Sequence, residues 1–121
     1  MASDAPKLKY VPFYHTDWET DQDVTLMTDR QQIWYWRLLV DQWRHESLPD
    51  DELAWYALAK PRYMSPDDRE WEAFLDIVRR KFPLGRDGRR RNKRMAEERS
   101  HQIAVYKARA AAGRRSAEVR Q

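Results

Sequence analysis

The spacing of apolar positions divides the chain into helical segments separated by polar or proline-bearing breaks. The first helix opens at Thr28, with Gln31 three residues on in a capping-box arrangement. Ile33, Trp36, Val40 and Trp43 recur at three- and four-residue spacing with Leu39 beside them. That pattern predicts one buried face and an end near His45, before Leu48-Pro49. A second, short helix is expected from Asp50 as N-cap, with Leu53, Ala57 and Leu58 inward, until Lys60-Pro61-Arg62-Tyr63 breaks it. The third has the fullest start signal: Ser65 as N-cap, Pro66 at the first helical position, and Asp67 and Asp68 complementing the helix dipole. Trp71, Phe74, Leu75 and Val78 follow at i, i+3, i+4 and i+7, and Arg79-Arg80-Lys81 close the last turn.

Beyond that helix the period changes. Lys81-Phe82-Pro83-Leu84 and Arg89-Arg90-Arg91 flank Gly85-Arg86-Asp87-Gly88, which predicts a short β-hairpin around an Asp-Gly turn, with Pro83 confining its first strand to an edge. Asn92 is placed to cap a final helix running to about Ala112 and ended by Gly113. Its apolar positions, Met95, Ile103 and Tyr106, are too sparse to bury a full face. At the other end, residues 1–9 form a polar lead expected to be disordered. Tyr10-Val11-Pro12-Phe13-Tyr14 is an aromatic run that Pro12 restricts to an edge strand or an extended packing segment. His15 to Asp23 is acidic and expected to be irregular apart from Trp18.

Three helices followed by a hairpin is the element order of a winged helix, in which helices two and three form a helix-turn-helix and the hairpin is the wing. The expected fold is therefore mainly α with a short β-hairpin: a winged-helix-like three-helix core over residues 10–92, plus wing, and a basic C-terminal helix or arm over 93–121.

A chain of 121 residues suits one domain. Six Trp, six Tyr and three Phe make a compact core feasible despite a mean hydropathy of −1.01, because each buried aromatic removes roughly 150–250 Å² from water. Trp36, Trp43, Trp71 and Phe74 are read as core from their spacing. Trp34, Tyr35, Trp55 and Tyr56 do not all fit inside on this reading, so part of them is assigned to an exposed patch on the acidic half. With no cysteine, a disulfide framework and a Cys-type zinc site are both excluded. No apolar run reaches the roughly 18 residues of a membrane span, and no signal-peptide pattern opens the chain, so the expected location is the cytoplasm, with no membrane partner.

Charge changes the picture most. Residues 1–78 hold 8 Lys/Arg against 16 Asp/Glu, and residues 79–121 hold 15 against 4. The net charge of +3 thus conceals a −8 segment followed by a +11 segment. Such a switch points the last third at a polyanion or an acidic partner. Arg86, Arg89, Arg90, Arg91, Lys93 and Arg94 place six cations within nine positions, on the hairpin and the start of a helix. Bidentate Arg geometry and counterion release both favour phosphate there. Helix three would be the recognition helix by position, but Asp67, Asp68, Glu70 and Glu72 crowd its first turns and would repel phosphate. The wing and the C-terminal helix are therefore expected to dominate, with helix three adding Arg79, Arg80 and Lys81 from its end.

Asp17, Glu19, Asp21 and Asp23 alternate near His15, but no nucleophile elbow, phosphate-cradling glycine loop or HExxH accompanies them. The sequence is read as a binding module rather than an enzyme, with no catalytic residue, metal site or cofactor implied.

The order of several short motifs resembles the YdaU-like phage and prophage family. It comprises Val11-Pro12-Phe13-Tyr14, Asp17-Trp18, Leu38-Leu39-Val40-Asp41-Gln42-Trp43, Leu48-Pro49-Asp50-Asp51 and Ser65-Pro66-Asp67-Asp68-Arg69-Glu70-Trp71. Phe82 with Asp87-Gly88-Arg89, Asn92-Lys93-Arg94, Glu97-Glu98 and Ala112-Gly113-Arg114 continue it, so the resemblance spans about residues 10–115. It implies a winged-helix-like, DNA-binding protein of phage origin acting in replication initiation or helicase loading, and it supplies no catalytic residues. Two other readings stay open at this point. One is an adaptor docking a replication partner through the acidic, Trp-rich half; the other is a transcriptional regulator. DNA strand preference and oligomeric state are left open.

Overall fold

The computed structural model describes residue 8 and residues 10–119; the rest of the expected lead over 1–9 lies outside the described residues. The elements are α1 (His15–Thr20), α2 (Gln22–Leu26), α3 (Asp29–His45), β1 (Leu48–Pro49), α4 (Glu52–Ala59), α5 (Arg69–Lys81), β2 (Arg89–Arg90) and α6 (Lys93–Val119). The architecture is mainly α with a short antiparallel pair of strands. Its core helices α3, α4 and α5, the turn before β2 and the trailing α6 follow winged-helix order, with β1 placed between the first two core helices.

The capping box forms as the sequence predicts. Thr28 Oγ1 accepts from the Gln31 N–H at 3.2 Å, and Gln31 Oε1 accepts from the Thr28 N–H at 3.0 Å. α3 ends at His45, where Glu46 takes the left-handed C-cap position with φ 75°. Its buried face is rotated from the expected one. Trp34, Tyr35, Leu38, Leu39, Gln42 and Trp43 are buried, Trp36 and Val40 are half-buried, and Ile33 is 51% exposed. Both sets have helical spacing; the choice belongs to the partners, since α3 packs against α4 and α5 and also against α6. A helix contacted on several sides needs a wide apolar face rather than one stripe.

The same tertiary override acts on α4. Its N-cap is Asp51, which accepts from the Leu53 N–H at 3.0 Å, rather than Asp50. Trp55 and Ala59 point inward, while Leu53 and Ala57 are exposed and Leu58 is half-buried. The largest side chain takes the interior, and its Nε1 donates to the Pro49 carbonyl at 2.6 Å, tying α4 to β1. In α5 the periodicity holds, with Trp71, Phe74 and Val78 buried and Leu75 half-buried. Its start does not. Ser65 to Asp68 closes a turn through an Asp68 N–H to Ser65 carbonyl bond of 3.1 Å. The helix begins at Arg69 with Asp68 as N-cap. The Ser65 hydroxyl is spent on the Asp67 carboxylate and caps nothing.

Trp71 stands at the centre of an aromatic cluster, 5.4 Å from Trp34, 5.3 Å from Tyr56 and 5.5 Å from Phe74 between ring centroids. Trp34, Tyr35 and Trp55 are buried and Tyr56 half-buried, so the expected aromatic surface patch on these residues does not exist. Offset and edge-on packing lets the rings share space that a volume estimate denies them.

Upstream, His15 to Asp23 is not irregular: it forms α1 and the start of α2, and Asp21 caps α2 by accepting from the N–H groups of Asp23 and Val24. Tyr10 to Tyr14 makes no strand; it is an irregular packing segment whose Phe13 ring lies 5.5 Å from Trp18 and 5.3 Å from Trp36.

The hairpin turn is present. Gly85 N–H donates to the Arg89 carbonyl at 2.7 Å, Leu84 bridges Arg90, and Gly88 has φ +78°, a conformation that favours glycine. β2 takes its main partner from elsewhere: Leu48 lies opposite Arg90 and Pro49 opposite Arg89. The wing is thus sewn to the segment between the first two core helices. α6 begins as expected, Asn92 Oδ1 accepting from the Met95 N–H at 3.1 Å, but runs through Gly113 to Val119. A single interior glycine costs only about 1 kcal/mol relative to alanine, and Ala110, Ala111 and Ala112 precede it. Met95 is buried, Ile103 half-buried and Tyr106 exposed, so only the first turns of α6 are fixed to the core. No helix among the described residues is long and apolar enough to cross a membrane.

Candidate nucleic-acid interface

The wing and the ends of α5 and α6 bring the nine predicted cations into one region, where most of them already hold an internal partner. Arg79 pairs with Glu52 and, at 3.1 Å, with Asp76. Arg80 meets Asp23 at 2.9 Å, and Lys81 meets both Asp21 and Asp23. Arg94 bonds Asp17 at 3.1 Å and Glu98 at 3.3 Å, with its guanidinium 4.8 Å from the centre of the Tyr14 ring. The Asp17 to Asp23 stretch therefore acts as a clasp of internal counterions for α5 and α6. Arg80 holds the Asp23 carboxyl below the usual carboxylate range.

The three consecutive arginines of the wing are structural anchors. Arg89 donates through Nε to Ser47 Oγ at 2.9 Å. Arg90 donates to Asp50 at 2.6 Å and to the Phe82 carbonyl at 3.1 Å, and its guanidinium lies 5.4 Å from the Trp55 ring. Arg91 grips Glu46 at 2.7 and 3.1 Å and Asp87 at 2.7 and 3.1 Å. That grip lowers the Glu46 carboxyl and holds Asp87 down to about 2. A doubly bidentate arginine fixes the wing against the end of α3.

Arg86 and Lys93 differ from the other seven. Both are exposed, and neither side chain makes a hydrogen bond or ion pair among the described residues. Lys107, Arg109, Arg114 and Arg115 share that condition along α6. At about 100° per residue, Lys93, Lys107, Arg114 and Arg115 fall within roughly 100° of one helix face, opposite buried Met95. Of the nine predicted cations, only Arg86 and Lys93 have side chains without an internal partner among the described residues, and Lys107, Arg114 and Arg115 extend that set along the Lys93 face of α6.

Two of the acids at the start of α5 hold internal partners. Asp68 caps its own helix, and Glu70 accepts from the Thr28 hydroxyl while its backbone carbonyl accepts from Gln31 Nε2 at 3.0 Å. The N-terminus of α5 is tied to the start of α3. Between the clasp and the start of α6 lies a cleft of about 650 Å³, lined by Trp18, Tyr35, Trp36, Lys81 and Asn92. Burial raises the Tyr35 hydroxyl pKa, and Asn92 donates to that oxygen at 3.2 Å.

Comparison with known proteins finds no matching family model, no matching curated protein and no matching solved structure.

Proposed function

We propose that the chain binds duplex DNA through phosphate contacts made by the tip of the wing and one face of α6. The observation that carries this reading is the row of exposed cations without internal partners: Arg86, Lys93, Lys107, Arg114 and Arg115. Intramolecular carboxylates neutralise most of the other basic groups in the region, so these are the ones whose counterions a phosphate backbone displaces without breaking a protein contact. The winged-helix element order supports a DNA partner, and the resemblance of residues 10–115 to YdaU-like proteins supports a setting in phage replication initiation.

Binding measured against salt on a duplex tests it. Four to five phosphate contacts give a log–log slope of roughly −3.6 to −4.5, and replacing Arg86 and Lys93 by alanine flattens it by nearly two. A slope near zero, or no binding at low salt, overturns the reading. The adaptor reading loses four of its six tryptophans as exposed surface, since Trp34, Trp43, Trp55 and Trp71 are buried.

A further inference from the structure

The connection between α4 and α5 carries a second cationic feature that the nine predicted residues do not include. Lys60 takes a left-handed conformation (φ 53°, ψ 56°), Pro61 is buried, and Tyr63 has φ 60°. Two non-glycine residues with positive φ within four positions is an uncommon amount of backbone strain, and such strain persists only where surrounding structure holds it. The hold is visible here. Arg37 Nη1 donates to the Ala59 carbonyl at 2.8 Å and to the Lys60 carbonyl at 2.9 Å, the Tyr56 hydroxyl donates to the Met64 carbonyl, and Pro61 is sunk into the protein. The result is a loop pinned at both ends that pushes Tyr63 fully into solvent, with a relative exposure of 102%.

Around that ring lies a shallow depression of about 300 Å³ bordered by Arg30, Ile33, Arg37, Lys60 and Arg62. Lys60 and Arg62 are exposed, and their side chains make no hydrogen bond or ion pair among the described residues. Arg30 has only a 4.0 Å approach to Glu70. The site therefore offers an aromatic face open on both sides together with cations whose charge is not internally matched. Cations call for an anion, and an exposed ring calls for a planar group. A nucleotide of an unpaired strand supplies both in alternation, whereas a duplex keeps its base faces stacked and out of reach.

We infer that the Lys60–Tyr63 loop is a contact site for single-stranded nucleic acid, with Tyr63 stacking on a base and Arg30, Lys60 and Arg62 holding the flanking phosphates. The inference rests on the nucleic-acid reading above, but the site is separate. Arg30 and Arg37, which border the depression, stand roughly 24 and 14 Å along α3 from Glu46 at 1.5 Å per residue, and Glu46 is where the wing is pinned. One molecule thus holds a duplex at the wing and an unpaired strand at a second place along α3, the arrangement needed at a junction between paired and opened DNA.

Fluorescence anisotropy of the full chain with labelled oligothymidylate and with a duplex of equal length tests this. Tyr63→Ala removes a side chain that supports nothing in the fold, so stability is retained. It is expected to weaken single-strand binding by roughly five- to a hundredfold, the range one stacked base supplies, and to leave duplex binding within twofold. Tyr63→Trp keeps single-strand affinity. Lys60→Ala with Arg62→Ala flattens the single-strand salt slope by about 1.4. Arg86→Ala with Lys93→Ala does the reverse, weakening the duplex and sparing the single strand. Unchanged single-strand affinity in Tyr63→Ala, or an equal loss on both probes, overturns the site. A wild-type chain that binds the duplex but not oligothymidylate overturns the site and leaves the proposed function standing. One that binds only oligothymidylate, with Tyr63 required, does the opposite.

Discussion

Gln42 sets both ends of its side-chain amide on the backbone of Asn92: its Oε1 accepts from the Asn92 N–H at 2.6 Å and its Nε2 donates to the Asn92 carbonyl at 3.0 Å. Asn92 in turn caps α6 and donates through Nδ2 to the Lys81 carbonyl at 3.0 Å and to the Tyr35 hydroxyl. One fully buried glutamine thereby fixes the point where α3, the end of α5 and the start of α6 meet. Gln42→Leu keeps the volume and strands the Asn92 N–H, while the Asn92 carbonyl keeps the Ala96 N–H at 2.9 Å as its donor. An orphaned group of this kind costs about 1–3 kcal/mol, so a loss of about 2 kcal/mol in urea denaturation is expected. A loss below about 0.5 kcal/mol would show that water reaches Asn92 and that the clamp is dispensable.

Arg90 and Arg86 lie four residues apart on the wing and are expected to fail in opposite assays. The Arg90 side chain is 13% exposed and holds Asp50, the Phe82 carbonyl and the Trp55 ring. Removing a charged hydrogen-bonding group of this kind costs about 1.5–3 kcal/mol. Arg90→Ala should lower the thermal midpoint, and any effect on DNA affinity should disappear once the folded fraction is corrected for. Arg86→Ala should leave the midpoint unchanged and flatten the duplex salt slope by about 0.9. A stable Arg90→Ala protein with impaired binding would return that residue to the interface.

The pH dependence follows from the same pairs. Asp23, Glu46 and Asp87 are each held below their ordinary values by Arg80, Arg91 and Arg91 respectively, Asp87 to about 2. Their folded-state values lie below the unfolded ones. The stability they contribute is therefore present above about pH 4.5 and lost as pH falls through the folded-state values. Tyr35 runs the other way: burial raises its pKa from 10.0, so its contribution is complete below that value and fades as pH rises beyond it. Denaturation midpoints should be level between pH 6 and 9, as the ordinary carboxylate and tyrosine values dictate, and fall on both sides. Tyr35→Phe should remove most of the alkaline decline. If that variant declines as steeply as the wild type above pH 10, another group is responsible.

How much of this the sequence discloses depends on the range of each signal. The α3 capping box, the Trp71, Phe74 and Val78 face, the Asp-Gly turn and the Asn92 cap each arise within a few residues and are found where the pattern puts them. β1 has two residues, one of them proline, and its partner lies some forty positions away, so no local period announces it. The rotated face of α3 and the inward turn of Trp55 were decided by neighbouring helices. Most consequential for the site, the carboxylates that neutralise Arg80 and Arg94 are separated from them by 57 and 77 residues. Counting charge by segment opposes an acidic half to a basic half; folding lays part of one over the other.

That overlay makes a prediction of its own. Asp21 and Asp23 sit against Arg80 and Lys81 and match their charge from within the chain. Asparagine at both positions keeps the α2 cap, since Asn and Asp are equally good N-caps, but removes the two negative charges. The pairs are partly exposed, so the cost in stability should be small, at most about 1 kcal/mol each. Two released cations should steepen the duplex salt slope by up to about 1.8 and raise affinity most at low salt. The comparison that decides it is Asp21→Asn with Asp23→Asn against the same pair carrying Arg80→Ala and Lys81→Ala. If the gain comes from the unmasked cations, the fourfold variant returns to the wild-type slope. If the gain survives, it reflects only the lower negative charge of the chain, and the end of α5 takes no part in holding DNA.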